Sequence, residues 1–256
     1  MNSKYTIKHL LISVFALTFF AITLVSAEEH EAVLDWSKRV ELSAPVSGLV
    51  QDVFAQAGTI VAKDGVLIQL DQRLFKADLK YAQANLKNMD EHYQEAKREL
   101  ARQADMYDRT MLSDHDLQIA KNNLVSAQAQ LDQAQSSLVK AKLKLEYSAV
   151  RAPFDAIVIK TVAVKGQVVA VEIAPPVLVV VAEAHRMLAR FYTSAEKLNN
   201  FALNQIVKVS IAGNSYQGKI STVALEPIKL NGYAIDVIFE AKDILLRAGQ
   251  TAKINL

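Results

Sequence analysis

No glycine or proline occurs between Leu74 and Ala152, although the chain has eight glycines and five prolines elsewhere. These are the residues that most disfavour a helix interior, glycine through backbone entropy and proline through its missing N–H. Through that stretch apolar or small side chains fall at Phe75, Leu79, Ala82, Leu86, Met89, Tyr93, Ala96 and Leu100, then at Gln103, a polar interruption, and Tyr107. The steps alternate threes and fours, which is a heptad stripe. A second stripe, Leu117, Ala120, Leu124, Ala127, Leu131, Ala134, Leu138, Ala141 and Leu145, alternates large and small without a gap. The pattern predicts two close-packed antiparallel helices of roughly 30 residues, each about 45 Å long. The break lies at 108–113. Ser113 is the expected N-cap of the second helix, with Asp114 and Asp116 in its first turn at the positive end of the dipole. Residues 74–147 therefore read as a long α-hairpin with its tip near 106–114.

The flanks have a different texture, short apolar segments split by turn residues. Ala44-Pro45-Val46-Ser47-Gly48, Ala57-Gly58 and Lys63-Asp64-Gly65 are turn signals around strands at 49–54 and 66–70. After the hairpin, Ser148-Ala149-Val150-Arg151-Ala152-Pro153-Phe154-Asp155-Ala156 resembles Ser43 to Gly48, and Gly166 with Gln167-Val168-Val169 resembles Gly58 with Thr59-Ile60-Val61. A repeat divided by an insertion predicts that 40–73 and 148–182 close on each other as one small β-domain. Residues 183–256 carry strand patterns at 188–191, 206–211, 216–223, 233–239 and 251–256, a short helix at 193–201, and turns at Gly213-Asn214, Asn231-Gly232 and Ala248-Gly249. That predicts a small antiparallel barrel or sandwich, and a multidomain α+β chain overall.

Lys4 and Lys8 precede an apolar run at 10–25 that ends in Val25-Ser26-Ala27. A basic start, a run of that length and a small-residue exit predict an export signal over 1–27, cleaved or retained as an anchor. The formal charge of +2 resides in those two lysines, so the body beyond them balances 27 cations against 27 carboxylates. A neutral body is not a nucleic-acid binder. Residues 28–39 read as a polar lead with one aromatic, Trp36. The chain has no cysteine. That excludes disulfides, thiolate metal sites, cysteine nucleophiles and a lipidated cysteine anchor.

Candidate chemistry is sparse. The histidines are His9, His30, His92, His115 and His185, spread over different modules. His30 with Glu28, Glu29 and Glu31, and His115 with Asp114 and Asp116, are runs of adjacent residues that point in different directions rather than converging on a metal. Asp71 and Asp155 at strand ends read as turn or helix-start residues before they read as paired carboxylates. No phosphate loop or nucleophile elbow occurs. The expectation is a protein with no catalytic residues, metal or cofactor; the rivals are a carrier domain with a modified lysine and a periplasmic solute- or metal-binding module.

Three stretches carry a resemblance. They are Ser43-Ala44-Pro45-Val46-Ser47-Gly48-Leu49-Val50 with the later Gly58, Gly65 and Leu70-Asp71; Leu145-Glu146-Tyr147-Ser148-Ala149-Val150-Arg151-Ala152-Pro153-Phe154-Asp155 with Gly166; and Leu246-Arg247-Ala248-Gly249-Gln250. In this order around a heptad hairpin, the chain resembles the periplasmic adaptor subunits, or membrane fusion proteins of HlyD and RND-adaptor type, of Gram-negative efflux and secretion systems. The resemblance covers 40–256. It implies a lipoyl-like barrel-sandwich hybrid split by a coiled-coil hairpin, then a β-barrel; the membrane-proximal domain that many members carry is expected to be absent or vestigial here. It implies a periplasmic location at the inner membrane, an RND or ABC transporter as one partner, a TolC-like outer-membrane channel as the other, and a hexameric ring. Gly48, Gly58, Gly65, Pro153, Gly166 and Gly249 fall at its turn or hinge positions. Ala156 and Asn204 stand where the family often has glycine. The junction where a lipoyl carrier presents its lysine is occupied by the hairpin, and Lys63 and Lys165 lie on other turns. At the tip, an Arg–Leu–Ser docking pattern of channel-binding members falls on Arg102, Met106 and Ser113, with Met106 departing from leucine. On residue chemistry alone, Arg102 is equally a solvated helix residue and Ser113 equally a cap. Lys87, Asp90, Glu95 and Lys97 are candidate lateral contacts between neighbouring hairpins. A variant of the reading is an adaptor for an ABC-type transporter that lacks such tip docking.

Overall fold

In a computed structural model, the chain is described over 29–172, 174–228, 232–241 and 246–255. The candidate export signal with Lys4, Lys8 and His9, together with Glu28, Asn231 and Leu256, lies outside the described residues. The described residues form two compact units, 36–184 and the combination of 29–35 with 185–255. Among the described residues no helix is long and apolar enough to cross a membrane.

The strands in chain order are β1 (Glu29–Trp36), β2 (Arg39–Leu42), β3 (Gly48–Val53), β4 (Ile60–Val61), β5 (Val66–Leu70), β6 (Ala149–Arg151), β7 (Ala156–Thr161), β8 (Val168–Val169), β9 (Val179–Glu183), β10 (Arg186–Thr193), β11 (Ile206–Ile211), β12 (Asn214–Pro227), β13 (Tyr233–Glu240) and β14 (Thr251–Asn255). Two helices, α1 (Arg73–Asp108) and α2 (Asp114–Tyr147), stand between β5 and β6.

The unit 36–184 holds two four-stranded antiparallel sheets, ordered β2-β9-β7-β4 and β6-β5-β3-β8. Each sheet mixes strands from before and after the helices. Leu67, Ile68, Leu70, Val158, Leu178, Val179 and Val181 of both halves fill one core and are essentially inaccessible to solvent. Each such side chain contributes about 1.5–3 kcal/mol on burial, so neither half is stable without the other.

The internal repeat appears as reciprocal hydrogen bonds. Gly58 N–H donates to the Val158 carbonyl (2.8 Å) and Gly166 N–H to the Val50 carbonyl (2.9 Å). Val158 N–H donates to Thr59 O (2.9 Å), and Val50 N–H to Gln167 O (2.8 Å). Gly58 and Gly166 have φ of 86° and 85°, a left-handed conformation that glycine adopts at little cost. Each half therefore places its turn glycine against the other half's central strand. Gly65 differs: the left-handed residue of that turn is Asp64 (φ 64°). Glycine is needed at 65 because a Cβ there would lie 2.6 Å from Val61 Cγ1 and 2.9 Å from Ala62 O. Ala156, where glycine was the family expectation, opens β7 as an ordinary buried strand residue. Asn204 takes φ 70°.

Every position of both heptad stripes is buried or half-buried. The alanines Ala120, Ala127, Ala134 and Ala141 are the buried residues of α2, so small side chains line the seam and let the helices approach closely. At the base, Gln72 Nε2 donates to Ser148 Oγ (2.9 Å), which donates to Leu145 O (2.5 Å). Leu70 N–H donates to Ser148 O (2.8 Å). Buried Ser148 thus ties the end of α2 to the start of α1 and to the sheet, and the helices run antiparallel.

The second unit is a closed six-stranded barrel, β1-β10-β13-β12-β11-β14, cored by Leu34, Phe191, Ile220, Ile235, Phe239 and Ile254. Across β10 and β13, the Arg190 guanidinium donates from Nε to Asp236 Oδ1 (2.7 Å) and from Nη2 to Oδ2 (3.0 Å). The Asp236 carboxylate holds the Arg190 pKa above its ordinary value.

One reading is corrected here. Residues 29–35 belong to the barrel rather than to a polar lead. β1 pairs with β14 from Glu29↔Asn255 to Val33↔Thr251, with Ala32 and Leu34 buried while Glu29, Glu31 and Asp35 face out. The outward acidic half of this alternation dominates the composition and hides the inward half. The short helix expected at 193–201 is present as a six-residue 3-10 helix, Ala195–Asn200, flanked by Ser194 and Phe201.

Candidate functional site

The α1–α2 connection contains no glycine, yet it closes as a Schellman motif. Thr110 N–H donates to Tyr107 O (2.9 Å), Met111 N–H donates to Met106 O (3.0 Å), and Thr110 has φ 59°. In this motif the residue in the left-handed conformation is usually glycine, and an apolar contact between the flanking positions commonly accompanies it. Those flanking positions here are Met106 and Met111. A β-branched residue in the left-handed region is an outlier, so the tip turn holds local strain.

Across the turn, Ser113 caps α2. Its Oγ accepts from Asp116 N–H (3.2 Å) and donates to Asp116 Oδ2 (2.6 Å). The Tyr107 phenol, which is hydrogen-bonded to the Asp114 carboxylate, has its pKa raised by that bond and by the adjacent negative charge. Arg102 pairs with Glu99 on its own helix and remains 65% exposed. Gln103 Nε2 donates to the same carboxylate (2.6 Å). Arg98–Glu95 and Arg109–Asp105 continue the series of intrahelical pairs at 2.7 and 2.9 Å. Below the tip a recess of about 290 Å³ opens between the helices, lined by Glu99, Gln103, Leu112, Asp116, Ile119 and Asn123 among others.

Arg102, Met106 and Ser113 thus lie at one end of the helix pair. Arg102 points outward, Met106 is half-buried, and the Ser113 hydroxyl is engaged by Asp116. Thr110 and Met111 were missed in the sequence. The available signal was the missing glycine at the turn, which obliges some other residue to adopt a positive φ. Met111, 70% exposed, is the most exposed methionine among the described residues.

The other candidates have structural partners. The Asp71 carboxylate accepts from Arg73 Nε (2.9 Å), Nη2 (2.5 Å) and backbone N–H (3.0 Å). These side-chain and then backbone bonds lower its pKa to about 2. Asp155 accepts from Lys63 N–H (2.8 Å), and Lys165 Nζ meets Asp52 (2.9 Å). His30 stacks on Phe191 at 4.9 Å and meets Phe201 edge-on at 5.5 Å, whereas Glu29 and Glu31 alternate to the other side of β1. No group of three or more His, Asp or Glu residues able to hold a metal occurs among the described residues. Gly249 has φ 87°, and Gly48 begins β3 with ordinary backbone.

Residues 38–183 match the family model of the CzcB-like barrel-sandwich hybrid domain. The macrolide export protein MacA of Yersinia pestis is 25% identical over 247 residues, a match that covers 87% of this chain and 66% of that protein. The chain thus spans just under two thirds of that relative's length. Among solved structures, a MacA–MexA chimera containing the Pseudomonas aeruginosa MexA α-hairpin domain has a TM-score of 0.70 at 24% identity, covering 89% of this chain and 77% of its own. A membrane fusion protein of Streptococcus pneumoniae R6 has a TM-score of 0.68 at 16% identity, covering 89% and 97%. These structural likenesses bear on the fold alone.

Proposed function

The chain belongs to the family of the CzcB-like barrel-sandwich hybrid domain, and from that premise we propose that it is a non-enzymatic periplasmic adaptor. It links an inner-membrane transporter, of RND or ABC type, to a TolC-like outer-membrane channel, and the transporter supplies the energy. The observation that carries this reading is the helix pair. Helices of 36 and 34 residues reach about 50 Å at 1.5 Å per residue, seamed along their length and tied at the base to a small sandwich. Such an arrangement suits a spacer rather than a pocket. We read the helices as a coiled-coil hairpin, 74–147, that assembles side by side with five copies into a tube, with Lys87, Asp90, Glu95 and Lys97 among the lateral contacts. The split sandwich, 40–73 with 148–182, carries the helices, and the signal at 1–27 delivers the chain to the periplasm. Gly48, Gly58, Gly65, Pro153, Gly166 and Gly249 are turn or hinge positions inside its modules.

Docking through Arg102, Met106 and Ser113 is tested by co-purification with a TolC-like channel. Arg102→Ala and Met106→Asp are expected to lose the channel with helicity unchanged. Retention by both variants overturns the tip assignment. A second reading, an adaptor for an ABC-type transporter without tip docking, is favoured by one observation: Arg102 and Ser113 both have partners within their own hairpin, Glu99 and Asp116. Retained co-purification of the transporter with no channel in the complex selects it.

A further inference from the structure

We propose that the hairpin tip is a site of reversible methionine oxidation, in which a peroxide converts Met111, and then Met106, to the sulfoxide and releases the tip from its channel partner. The release rests on the docking reading above; the site of oxidation does not.

The chain has no cysteine and five methionines, so a thioether is the only sulfur an oxidant can reach. Met1 lies outside the described residues. Met187 is sealed in the barrel at 4% exposure, and Met89 is half-buried in the helix seam. Met111 is 70% exposed at the turn. The bond from Met111 N–H to Met106 O (3.0 Å) brings the second sulfur-bearing residue to the same turn. Met106 is the position where the docking pattern has leucine, which peroxide leaves unchanged. Oxidation susceptibility of a thioether follows exposure, so exposed Met111 comes first and buried Met187 last, with the half-buried Met106 and Met89 between them.

The step balances. A sulfur lone pair attacks one peroxide oxygen, the O–O bond breaks and an S–O bond forms. Sulfur loses two electrons and the peroxide is reduced to water, or to an alcohol if it is an alkyl hydroperoxide. The reverse step needs a dithiol reductase, which takes the oxygen off as water and becomes a disulfide. The product carries a strong acceptor where the side chain was apolar. An acceptor carried into an interface without a donor loses most of its hydration and gains nothing in return. It also disturbs the apolar contact expected between the two flanking positions of the Schellman motif.

The test treats the full chain with graded hydrogen peroxide and maps tryptic peptides. Cleavage after Arg102, Arg109 and Lys121 puts Met106 in peptide 103–109 and Met111 in peptide 110–121. Met89 and Met187 fall in 88–97 and 187–190. Oxidation of Met111 at least about tenfold faster than Met89 and Met187 is expected; equal rates overturn the site. Capture of a TolC-like channel is expected to fall about tenfold on oxidation and to recover after methionine sulfoxide reductase. The Met89→Leu/Met187→Leu variant should respond in the same way. In Met106→Leu/Met111→Leu, whatever capture remains should not change with peroxide. Undiminished capture by protein oxidised at Met111 overturns the release. Failure of the untreated protein to capture any channel overturns the docking reading instead, and the release with it, whereas the peptide map still decides the site.

Discussion

Replacing Thr110 with glycine should stabilise the helix pair, a gain at the very tip of a long projection. An L-residue held at φ 59° costs roughly 1–2 kcal/mol, more for a β-branched side chain. Two terms oppose the gain. Glycine adds back about 0.5–1 kcal/mol of unfolded-chain entropy. The exposed bond from Thr110 Oγ1 to Arg109 O (2.7 Å) is lost, at a cost of about 0.5 kcal/mol. Because threonine starts from the upper end of the strain range, the balance is a gain of about 0.5 kcal/mol. In a unit of this size, that raises Tm by roughly 1–2 °C. Thermal unfolding followed at 222 nm measures it, and slower amide exchange at Thr110 and Met111 localises it. Thr110→Asn should fall between glycine and threonine, and Thr110→Val at or below threonine. A Tm for Thr110→Gly below that of the parent, or Thr110→Val above Thr110→Gly, refutes the strain argument.

Other consequences follow from the packing. Ala134 is 2% exposed at the helix seam, so Ala134→Leu should push the helices apart and cost about 1–3 kcal/mol, read as a lowered denaturation midpoint. Asp236→Ala removes both bonds to Arg190 and leaves a half-buried guanidinium unpaired, at about 2 kcal/mol; Arg190→Met with Asp236→Leu should restore most of it. Asp71 has its pKa lowered from 3.8 to about 2. Its contribution is therefore complete above pH 3.8 and lost as pH falls through 2. The stability difference between the parent and Asp71→Asn should accordingly vanish near that pH in acid titration.

The helix pair could be read residue by residue because its determinants are local. A run free of glycine and proline, a 3–4 spacing and a serine before two aspartates each act within a few turns, and α2 begins one residue after the serine identified as its cap. The split repeat was readable for a related reason. Both halves solve the same turn problem, so glycine recurs at 58 and 166, and the structure gives the two residues the same φ. Of the tip, Arg102, Met106 and Ser113 were legible as positions. The engagement of Ser113 by Asp116 and of Arg102 by Glu99 follows from rotamers that spacing does not specify.

What the sequence determined by itself is the interruption of a β-domain by two long helices, the seam of those helices, and the exclusion of thiol chemistry. These rest on composition and short-range periodicity. Only the tertiary structure decided how the barrel closes and which residue bears the strain of the turn. β1 finds β14 from the opposite end of the chain, and its inward residues, Ala32 and Leu34, acquire meaning only when a partner surface exists. Thr110 is strained because two long helices, already aligned by their alanine seam, leave the connection one way to close. Neither constraint is local, and neither has a period that a single strand of text could show.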